Sequence, residues 1–197
     1  ISKENIIKIL NRASKKNFLV VLDEAYIQFS RQNSLASLVK RFSNLVVLKT
    51  FSKFPGLAGL RIGYIVANPK FIKVFNTVRP IFDISSLSIS IAEFFVNNRR
   101  VENLYIREIK RSKNYMINQC KKRKISFINT ETNFFYIKIP PNRLKKIHNA
   151  LIKNKILVRS NLLGNFSVIK NTIRITLCEI KILKKLFKIL DMTRLNK

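Results

Sequence analysis

The chain has 197 residues, and its 39 lysines and arginines against 10 acidic residues give a formal net charge of +29. Hydrophobic residues make up 47% of the sequence, which is enough for a sizeable core and excludes a disordered basic tail. No stretch approaches the roughly 18 to 20 apolar residues that cross a bilayer, and residues 1–10 alternate charge with isoleucine instead of forming a signal sequence. We therefore expect a soluble protein without a membrane partner.

Cysteine usage favours a reducing compartment. Cys120 and Cys178 are the only cysteines, too few and too isolated for a disulfide framework or a zinc site. We expect a cytoplasmic protein and no metal site.

The basic excess has two interpretations. Lysine and arginine neutralise phosphates, so a charge of +29 is compatible with nucleic-acid binding. The cations are also scattered as single residues and short runs among many isoleucines and asparagines, a composition typical of A+T-rich coding sequence and of solvated helix faces. Composition alone leaves both interpretations open.

Short apolar runs dominate the first third of the chain. A helix is predicted from Ser2, a suitable N-cap, and wholly apolar runs follow at residues 18–22, 45–48 and 62–67. Runs of this kind are typical of strands that are buried on both faces. With a short helix at residues 35–42 between the first two, the pattern predicts an α/β layer with a largely parallel sheet.

Helical patterns follow, and then strands alternate with helices. Helices are predicted at residues 71–78, 86–96 and about 101–122. Beyond them, strands are predicted at residues 125–128, 133–139, 156–159 and 172–177, with helices at 142–153 and 179–190. We therefore predict two domains, residues 1–98 and a smaller α+β domain at residues 99–197 that includes the long helix.

Glycine is scarce except in one segment. The chain has four glycines, whereas average usage of about 7% would give roughly fourteen. Three of the four, Gly56, Gly59 and Gly63, fall within eight residues. This cluster predicts backbone that needs a positive φ or a close approach to another group.

Polar side chains follow the predicted strands at the point where ligands bind in open α/β sheets. They are Asp23 and Tyr26 after the first run, Thr50, Ser52 and Lys53 after the second, and Arg61 before the third. Each alone has an ordinary alternative, such as a helix cap, a solvated amine or a surface ion pair. Together they predict one polar rim.

Two segments resemble a known enzyme family. Residues 50–64, TFSKFPGLAGLRIGY, closely resemble the cofactor-lysine segment of fold-type I pyridoxal-phosphate aminotransferases, and residues 22–26, LDEAY, resemble their aspartate segment. Residues 78–80 and 85–87, VRP and SSL, are similar to the VRPPYNVSSL region of the histidinol-phosphate aminotransferase family. The resemblance covers nearly the whole chain. It implies the C-terminal part of the large, mostly parallel cofactor-binding domain, followed by a small α+β domain.

The resemblance also implies roles for the rim. Lys53 would bind pyridoxal 5'-phosphate covalently and act as the base that moves the substrate's proton. Asp23 would keep the pyridine nitrogen protonated, and Tyr26 would hydrogen-bond the ring's phenolic oxygen. Arg61 would bind the cofactor phosphate, with Ser52 and Thr50 as hydroxyl partners.

Further residues match the family's substrate site. Asn133, Arg159 and Arg174 fall, in order, where the family has its small-domain NF, R and RIT elements. The two arginines would receive the anionic groups of an amino-alcohol phosphate and of glutamate or 2-oxoglutarate, with Asn133 near them. With these cations assigned to small anions and the others to solvated surface, we expect no nucleic-acid partner.

The implied reaction is that of histidine biosynthesis, in which L-histidinol phosphate and 2-oxoglutarate give imidazole acetol phosphate and glutamate. There are three alternatives. Two are other enzymes of the subgroup, either threonine-phosphate decarboxylase or an aminotransferase for another amino acid, and the third is a non-catalytic basic remnant. The sequence departs from the subgroup at Phe54 and Pro55, where Ala and an aromatic residue are usual, and at Phe82 and Asp83, where Tyr and Asn are usual.

Family members are much longer than this chain. Residues 1–5 resemble the segment that follows their NPxNPTG turn, so we expect a truncated chain that lacks the first strands of the sheet. A sheet cut there would expose a hydrophobic edge. We expect the full-length protein to be a homodimer.

Overall fold

The computed structural model describes residues 1–81, 83–160 and 167–193. The chain divides into two compact units, Ile1–Glu102 and Asn103–Lys197. None of the described helices is both long and apolar enough to cross a membrane.

The first unit combines a three-stranded sheet with helices. Its elements are α1 (Lys3–Lys15), β1 (Val20–Asp23), β2 (Leu45–Thr50), β3 (Gly63–Ala67), α2 (Pro69–Val78) and α3 (Ser86–Asn97). Ser2 caps α1 as predicted, since its side chain accepts a hydrogen bond from the Asn5 N–H. Short 3-10 helices at Ile27–Phe29, Ala36–Lys40 and Ala58–Leu60 lie in the connections.

The sheet has the order β1-β2-β3 and is parallel at one of its two pairings. β1 runs parallel to β2, with Asp23 opposite Leu48, whereas β3 is antiparallel to β2, with Gly63 opposite Thr50. The prediction of a largely parallel sheet is therefore wrong for the third strand. A parallel return needs a crossover connection, usually a helix, and the segment 51–62 supplies only a 3-10 turn.

The core of this unit lies on one face of the sheet. Strand residues pack there against α1 and the 3-10 helix Ala36–Lys40, in a cluster whose buried members are Ile6, Leu10, Phe42, Leu45 and Val47. Val21 and Ile65, on the other face, are 56% and 41% exposed, so the predicted burial on both faces is wrong for β1 and β3. It is confirmed for the first half of β2, where Leu45, Val46 and Val47 are all buried. β1 is an edge strand of the described sheet, and the exposed side chains of Phe18 and Val21 make this edge apolar.

The second unit is an antiparallel sheet with helices. Its elements are α4 (Arg99–Lys122), which starts in the first unit, β4 (Phe127–Ile128), β5 (Phe134–Lys138), α5 (Pro141–Lys153), β6 (Arg159–Ser160), β7 (Thr172–Thr176) and α6 (Ile180–Met192). The strand order is β4-β5-β7-β6, and every described pairing is antiparallel. Alternate strand residues such as Phe135 and Ile173 are fully buried, as is the α6 residue Phe187.

Both cysteines are free thiols within this unit. Cys120 is fully buried on α4, and burial raises the pKa of its thiol to about 12. Burial also raises the pKa of the half-buried Cys178 thiol. Both thiols are therefore protonated at neutral pH, which favours packing over chemistry as their role.

Candidate active site at the ends of two strands

The carboxyl ends of β1 and β2 meet at one edge of the sheet because the two strands are parallel. Asp23 ends β1 and Thr50 ends β2. Asp23 is in register with Leu48, two residues before Thr50, so strand alternation places Asp23 and Thr50 on the same face. These two predicted site residues are therefore brought together.

Lys53 and Tyr26 come together from the two connections that follow these strands. The Lys53 Nζ lies 5.8 Å from the centroid of the Tyr26 ring, and both side chains are half-buried. Among the residues described, no carboxylate forms an ion pair with Lys53. An amine and a phenol thus share one small region near the strand ends.

The loop that carries Lys53 is closed at its base by hydrogen bonds. The Thr50 hydroxyl donates to the Ile62 carbonyl at 3.2 Å and accepts from the Ser52 N–H at 3.0 Å. The Phe51 N–H also donates to the Ile62 carbonyl, at 3.1 Å. The departure at Phe54 and Pro55 lies inside this loop, where both residues are buried and the bond between them is cis.

The glycine cluster lies in the same loop. Gly56 has a φ of 93°, and a Cβ at Gly63 would lie 3.0 Å from the Lys49 carbonyl oxygen. The predicted need for glycine is confirmed at these two positions. It is wrong at Gly59, where a Cβ would meet nothing within 4 Å.

Arg61 follows the 3-10 helix Ala58–Leu60 with a left-handed backbone, at a φ of 57°. Its side chain is exposed, and Nη1 donates to the Ala58 carbonyl at 3.1 Å. Within the described ranges, no ion pair engages its guanidinium, and no hydrogen bond joins it to Asp23 or Lys53. Its remaining donors can therefore bind an anion from solution.

Asp23 is an exposed carboxylate in a very basic chain. Its Oδ1 accepts a hydrogen bond from the Ala25 N–H at 2.9 Å, which shapes the turn that leads to Tyr26. No lysine or arginine in the described part of the chain forms an ion pair with it. Among the described residues, the strand ends therefore combine one anion without an ion pair, Asp23, with two cations without one, Lys53 and Arg61.

Glu24, which follows Asp23, was not among the predicted site residues. Glu24 is buried, and its carboxylate lies 2.9 Å from the Lys49 Nζ. Burial disfavours the charged form, but hydrogen bonds from Ser34, the Leu35 N–H and Lys49 outweigh it and hold the pKa of Glu24 below its usual range. The sequence feature that could have identified Glu24 is its position just after an apolar run, in a chain that has only 10 acidic residues.

A second group of predicted residues lies in the other unit. Arg159 on β6 is directly opposite Arg174 on β7, and the Arg174 guanidinium lies 5.0 Å from the centroid of the Phe134 ring. Like charges at opposite positions of an antiparallel pair repel. No described carboxylate pairs with either guanidinium, so an anion would relieve that repulsion.

Asn133 lies directly before β5, the strand next to β7. Its carbonyl accepts a hydrogen bond from the Leu177 N–H at 2.8 Å, which joins the two strand ends. Within the described residues, no hydrogen bond joins the Asn133 side chain to Arg159 or Arg174. The structure thus brings the arginines together and places Asn133 by its backbone only.

The structure also bears on metal binding and on positions 82 and 83, where the sequence differs from the subgroup. Across residues 1–81, 83–160 and 167–193, no group of three or more His, Cys, Asp or Glu side chains could hold a metal ion. Asp83 pairs with Arg79, at 2.5 Å between Oδ2 and Nε. Phe82 lies outside the described residues.

The chain is similar to known proteins over most of its length. Residues 1–189 match the family described as aminotransferase class I and II. A histidinol-phosphate aminotransferase of Buchnera aphidicola subsp. Cinara cedri is 34% identical over 202 aligned residues, which cover 97% of this chain and 54% of that protein. The chain thus spans about half the length of the curated relatives that it matches.

Solved structures give the same fold. Histidinol-phosphate aminotransferase from Sinorhizobium meliloti, in complex with pyridoxal-5'-phosphate, superposes with a TM-score of 0.82 at 22% identity, covering 94% of this chain and 52% of that one. L-threonine-O-3-phosphate decarboxylase from Porphyromonas gingivalis superposes with a TM-score of 0.77 at 26% identity, covering 98% and 59%. The predicted class, α/β with the fold of fold-type I enzymes, is confirmed.

Proposed function

Because the chain belongs to the aminotransferase class I and II family, we propose that it acts in a pyridoxal-phosphate-dependent aminotransferase. The specific reaction proposed is transfer of the amino group from L-histidinol phosphate to 2-oxoglutarate, which gives imidazole acetol phosphate and glutamate. Relatives 34% to 38% identical that carry the name histidinol-phosphate aminotransferase support this choice. The observation that carries the proposed pyridoxal-phosphate chemistry is the convergence of Asp23, Tyr26, Thr50 and Lys53 at the ends of two parallel strands.

The side chains at the strand ends fit the chemistry of pyridoxal phosphate. That molecule combines a basic ring nitrogen, a phenolic oxygen, an aldehyde and a phosphate. Asp23 can pair with the protonated nitrogen, Tyr26 with the phenolic oxygen, and Arg61 and Ser52 with the phosphate. The charges agree as well, because Asp23 and the cations Lys53 and Arg61 find no ion-pair partner among the described residues.

When bound, pyridoxal phosphate supplies an electron sink for the bond that breaks at the substrate's Cα. Lys53 would hold the cofactor at its aldehyde carbon through Nζ, with loss of water, and the same amine, once displaced by the substrate's amine, would accept the proton from the substrate's Cα. Asp23 would hold a proton on the ring nitrogen by favouring its cationic form. Thr50 orients Lys53, because its hydroxyl closes the base of the lysine loop.

Arg159 and Arg174 are the proposed receptors for substrate anions. A guanidinium offers a planar fork of donors that matches phosphate or carboxylate, and two of them in register suit an anion with more than one charged oxygen. The substrates proposed on this ground are an amino-alcohol phosphate and glutamate or 2-oxoglutarate, with Asn133 beside them.

We also propose that the complete enzyme is a cytoplasmic homodimer. Its cofactor domain would include residues 1–98 and its small domain residues 99–197. Apolar side chains exposed on α2 and α3 support an interface of the first domain: Val74, Val78, Leu87 and Phe94 are 54% to 79% exposed.

An activity assay on the complete gene product tests the proposal. With pyridoxal phosphate present, we expect glutamate to form from L-histidinol phosphate and 2-oxoglutarate. L-threonine O-3-phosphate is the second substrate to test, because the decarboxylase of that name is 26% identical to this chain. Release of carbon dioxide from it, without amino transfer, would favour a decarboxylase, and failure to bind the cofactor would exclude both functions.

Replacing Arg174 with alanine should weaken substrate binding. Hydrogen bonds to a charged group contribute about 1.5 to 3 kcal/mol, so we expect KM for 2-oxoglutarate or histidinol phosphate to rise about tenfold to a hundredfold. Arg159→Ala should do the same to a comparable or smaller extent, because Arg159 is more exposed. The matched control is Lys138→Ala, which removes an exposed cation from β5. Unchanged KM values in both arginine variants would contradict the assignment.

A further inference from the structure

Glu24 and Lys49 form a buried ion pair on the face of the sheet opposite Asp23 and Thr50. Strand alternation puts Lys49 on the same face as Val47 and the apolar cluster, while its neighbour Thr50 faces the other way. The side chains of Lys49 and Glu24 are only 11% and 3% exposed. The pair therefore lies behind the strand ends that carry the proposed cofactor site.

Three donors bind the Glu24 carboxylate. The Lys49 Nζ and the Ser34 hydroxyl lie 2.9 and 2.6 Å from Oε2, and the Leu35 N–H donates to Oε1 at 2.7 Å. Because these bonds hold the pKa of Glu24 below its usual range, the carboxylate is ionised at neutral pH. One side chain thus joins the end of β1, the end of β2 and the start of the 3-10 helix Ala36–Lys40.

The backbone of Glu24 connects the same point to both site segments. Its N–H donates to the Leu48 carbonyl at 3.0 Å, which extends the pairing of β1 and β2 by one residue. Its carbonyl accepts from the Ile27 N–H at 3.1 Å, which closes the turn that contains Tyr26. Any shift of Glu24 would therefore move Asp23 on one side and Tyr26 on the other.

We propose that the buried Glu24–Lys49 ion pair is a positioning device that sets where Asp23 and Tyr26 present their polar groups to the cofactor and where Thr50 holds the base of the lysine loop. Neither side chain touches the cofactor in this scheme; both act through their sequence neighbours. The proposal rests on the function proposed above, and it assigns a specific purpose to an ion pair that would otherwise serve stability alone.

The test compares two charge-removing variants, Glu24→Gln and Lys49→Met, in the complete gene product loaded with pyridoxal phosphate. We expect the dissociation constant of the cofactor, measured by its visible absorbance, to rise about tenfold to a hundredfold, as for other residues that orient a ligand's direct partners. The pH at which the bound cofactor's absorbance titrates should shift too, because Asp23 is displaced from the ring nitrogen. Lys49→Arg keeps the charge and should keep both properties.

Two controls separate positioning from stability. Val47→Ala removes a fully buried side chain from the same face of β2 and should lower the melting temperature without removing a charge. Glu108→Gln removes the exposed pair with Arg111 on α4 and should change neither stability nor cofactor binding.

The positioning role is contradicted if Glu24→Gln and Lys49→Met weaken cofactor binding no more than Val47→Ala does at a similar loss of melting temperature. It is also contradicted if the absorbance titration stays unchanged. Should Glu24→Gln fail to fold, the comparison of Lys49→Met with Lys49→Arg decides. If the unaltered protein does not bind the cofactor, the proposed function fails; if it binds and the variants behave like Val47→Ala, only the positioning role fails.

Discussion

Replacing Lys53 with alanine should abolish amino transfer by the complete gene product. Removal of the group that moves the substrate's proton lowers turnover by about 10²- to 10⁴-fold, and loss of the covalent attachment adds to this. The fold should be little affected, because the described contact of Lys53 is with the Tyr26 ring at 5.8 Å and no described carboxylate pairs with it. A loss of activity can then be assigned to chemistry.

The measurement combines steady-state rates with mapping of the cofactor's attachment. Borohydride reduction, which makes the lysine–cofactor bond permanent, should label the peptide that contains Lys53 in the unaltered protein and no peptide in Lys53→Ala. Lys70→Ala, which removes an exposed amine from α2, serves as the control and should keep both label and activity. Label on another lysine would refute the assignment of Lys53.

Replacing Asp23 with asparagine should lower turnover by about 10²- to 10³-fold, the range seen when one preorganised electrostatic partner is removed from an active site. The substitution should preserve the local turn, because the amide oxygen of asparagine can still accept the 2.9 Å hydrogen bond from the Ala25 N–H. Glu24 cannot replace the lost charge, since its carboxylate pairs with Lys49 on the opposite face. We expect weaker cofactor binding and a lower pH for deprotonation of the ring nitrogen.

A matched control and a rescue make this prediction specific. Asp191→Asn removes a carboxylate that pairs with Arg123 at 2.7 Å in the second unit, and it should leave turnover intact. A cofactor analogue methylated at the ring nitrogen carries the positive charge permanently, so it should restore part of the activity of Asp23→Asn. Turnover of Asp23→Asn close to that of the unaltered protein would show that Asp23 does not hold that proton.

Local sequence patterns predicted where the strands lie but not their directions. The apolar runs at residues 18–22, 45–48 and 62–67 correspond to β1, β2 and β3 within a few residues, because short apolar runs are typical of strands. The direction of β3 depends on how the segment 51–62 returns the chain, and a pattern of hydrophobic residues does not encode that. The prediction of burial on both faces is wrong at Val21 for a similar reason, because whether other elements pack over an edge strand depends on tertiary structure.

In the candidate site, too, the features set by local rules were predictable from the sequence, and those set by tertiary contacts were not. The meeting of Asp23 with Thr50 follows from parallel strands that end together, and the predicted need for glycine at Gly56 and Gly63 follows from backbone sterics. Glu24 escaped notice because its partner Lys49 lies 25 residues away in the sequence. The pairing of Arg159 with Arg174 equally required the register of β6 and β7.

The Thr50 hydroxyl has a single proton, and the structure commits it to the Ile62 carbonyl. A phosphate oxygen could take that proton only by breaking the bond from Thr50 to Ile62, which would leave the Phe51 N–H as the remaining donor to the Ile62 carbonyl at the base of the loop that carries Lys53. Phosphate binding by Thr50 and full closure of the lysine loop are thus competing uses of one hydrogen atom. Ser52, whose hydroxyl has no partner among the described residues, and Arg61 can bind a phosphate without loosening the lysine.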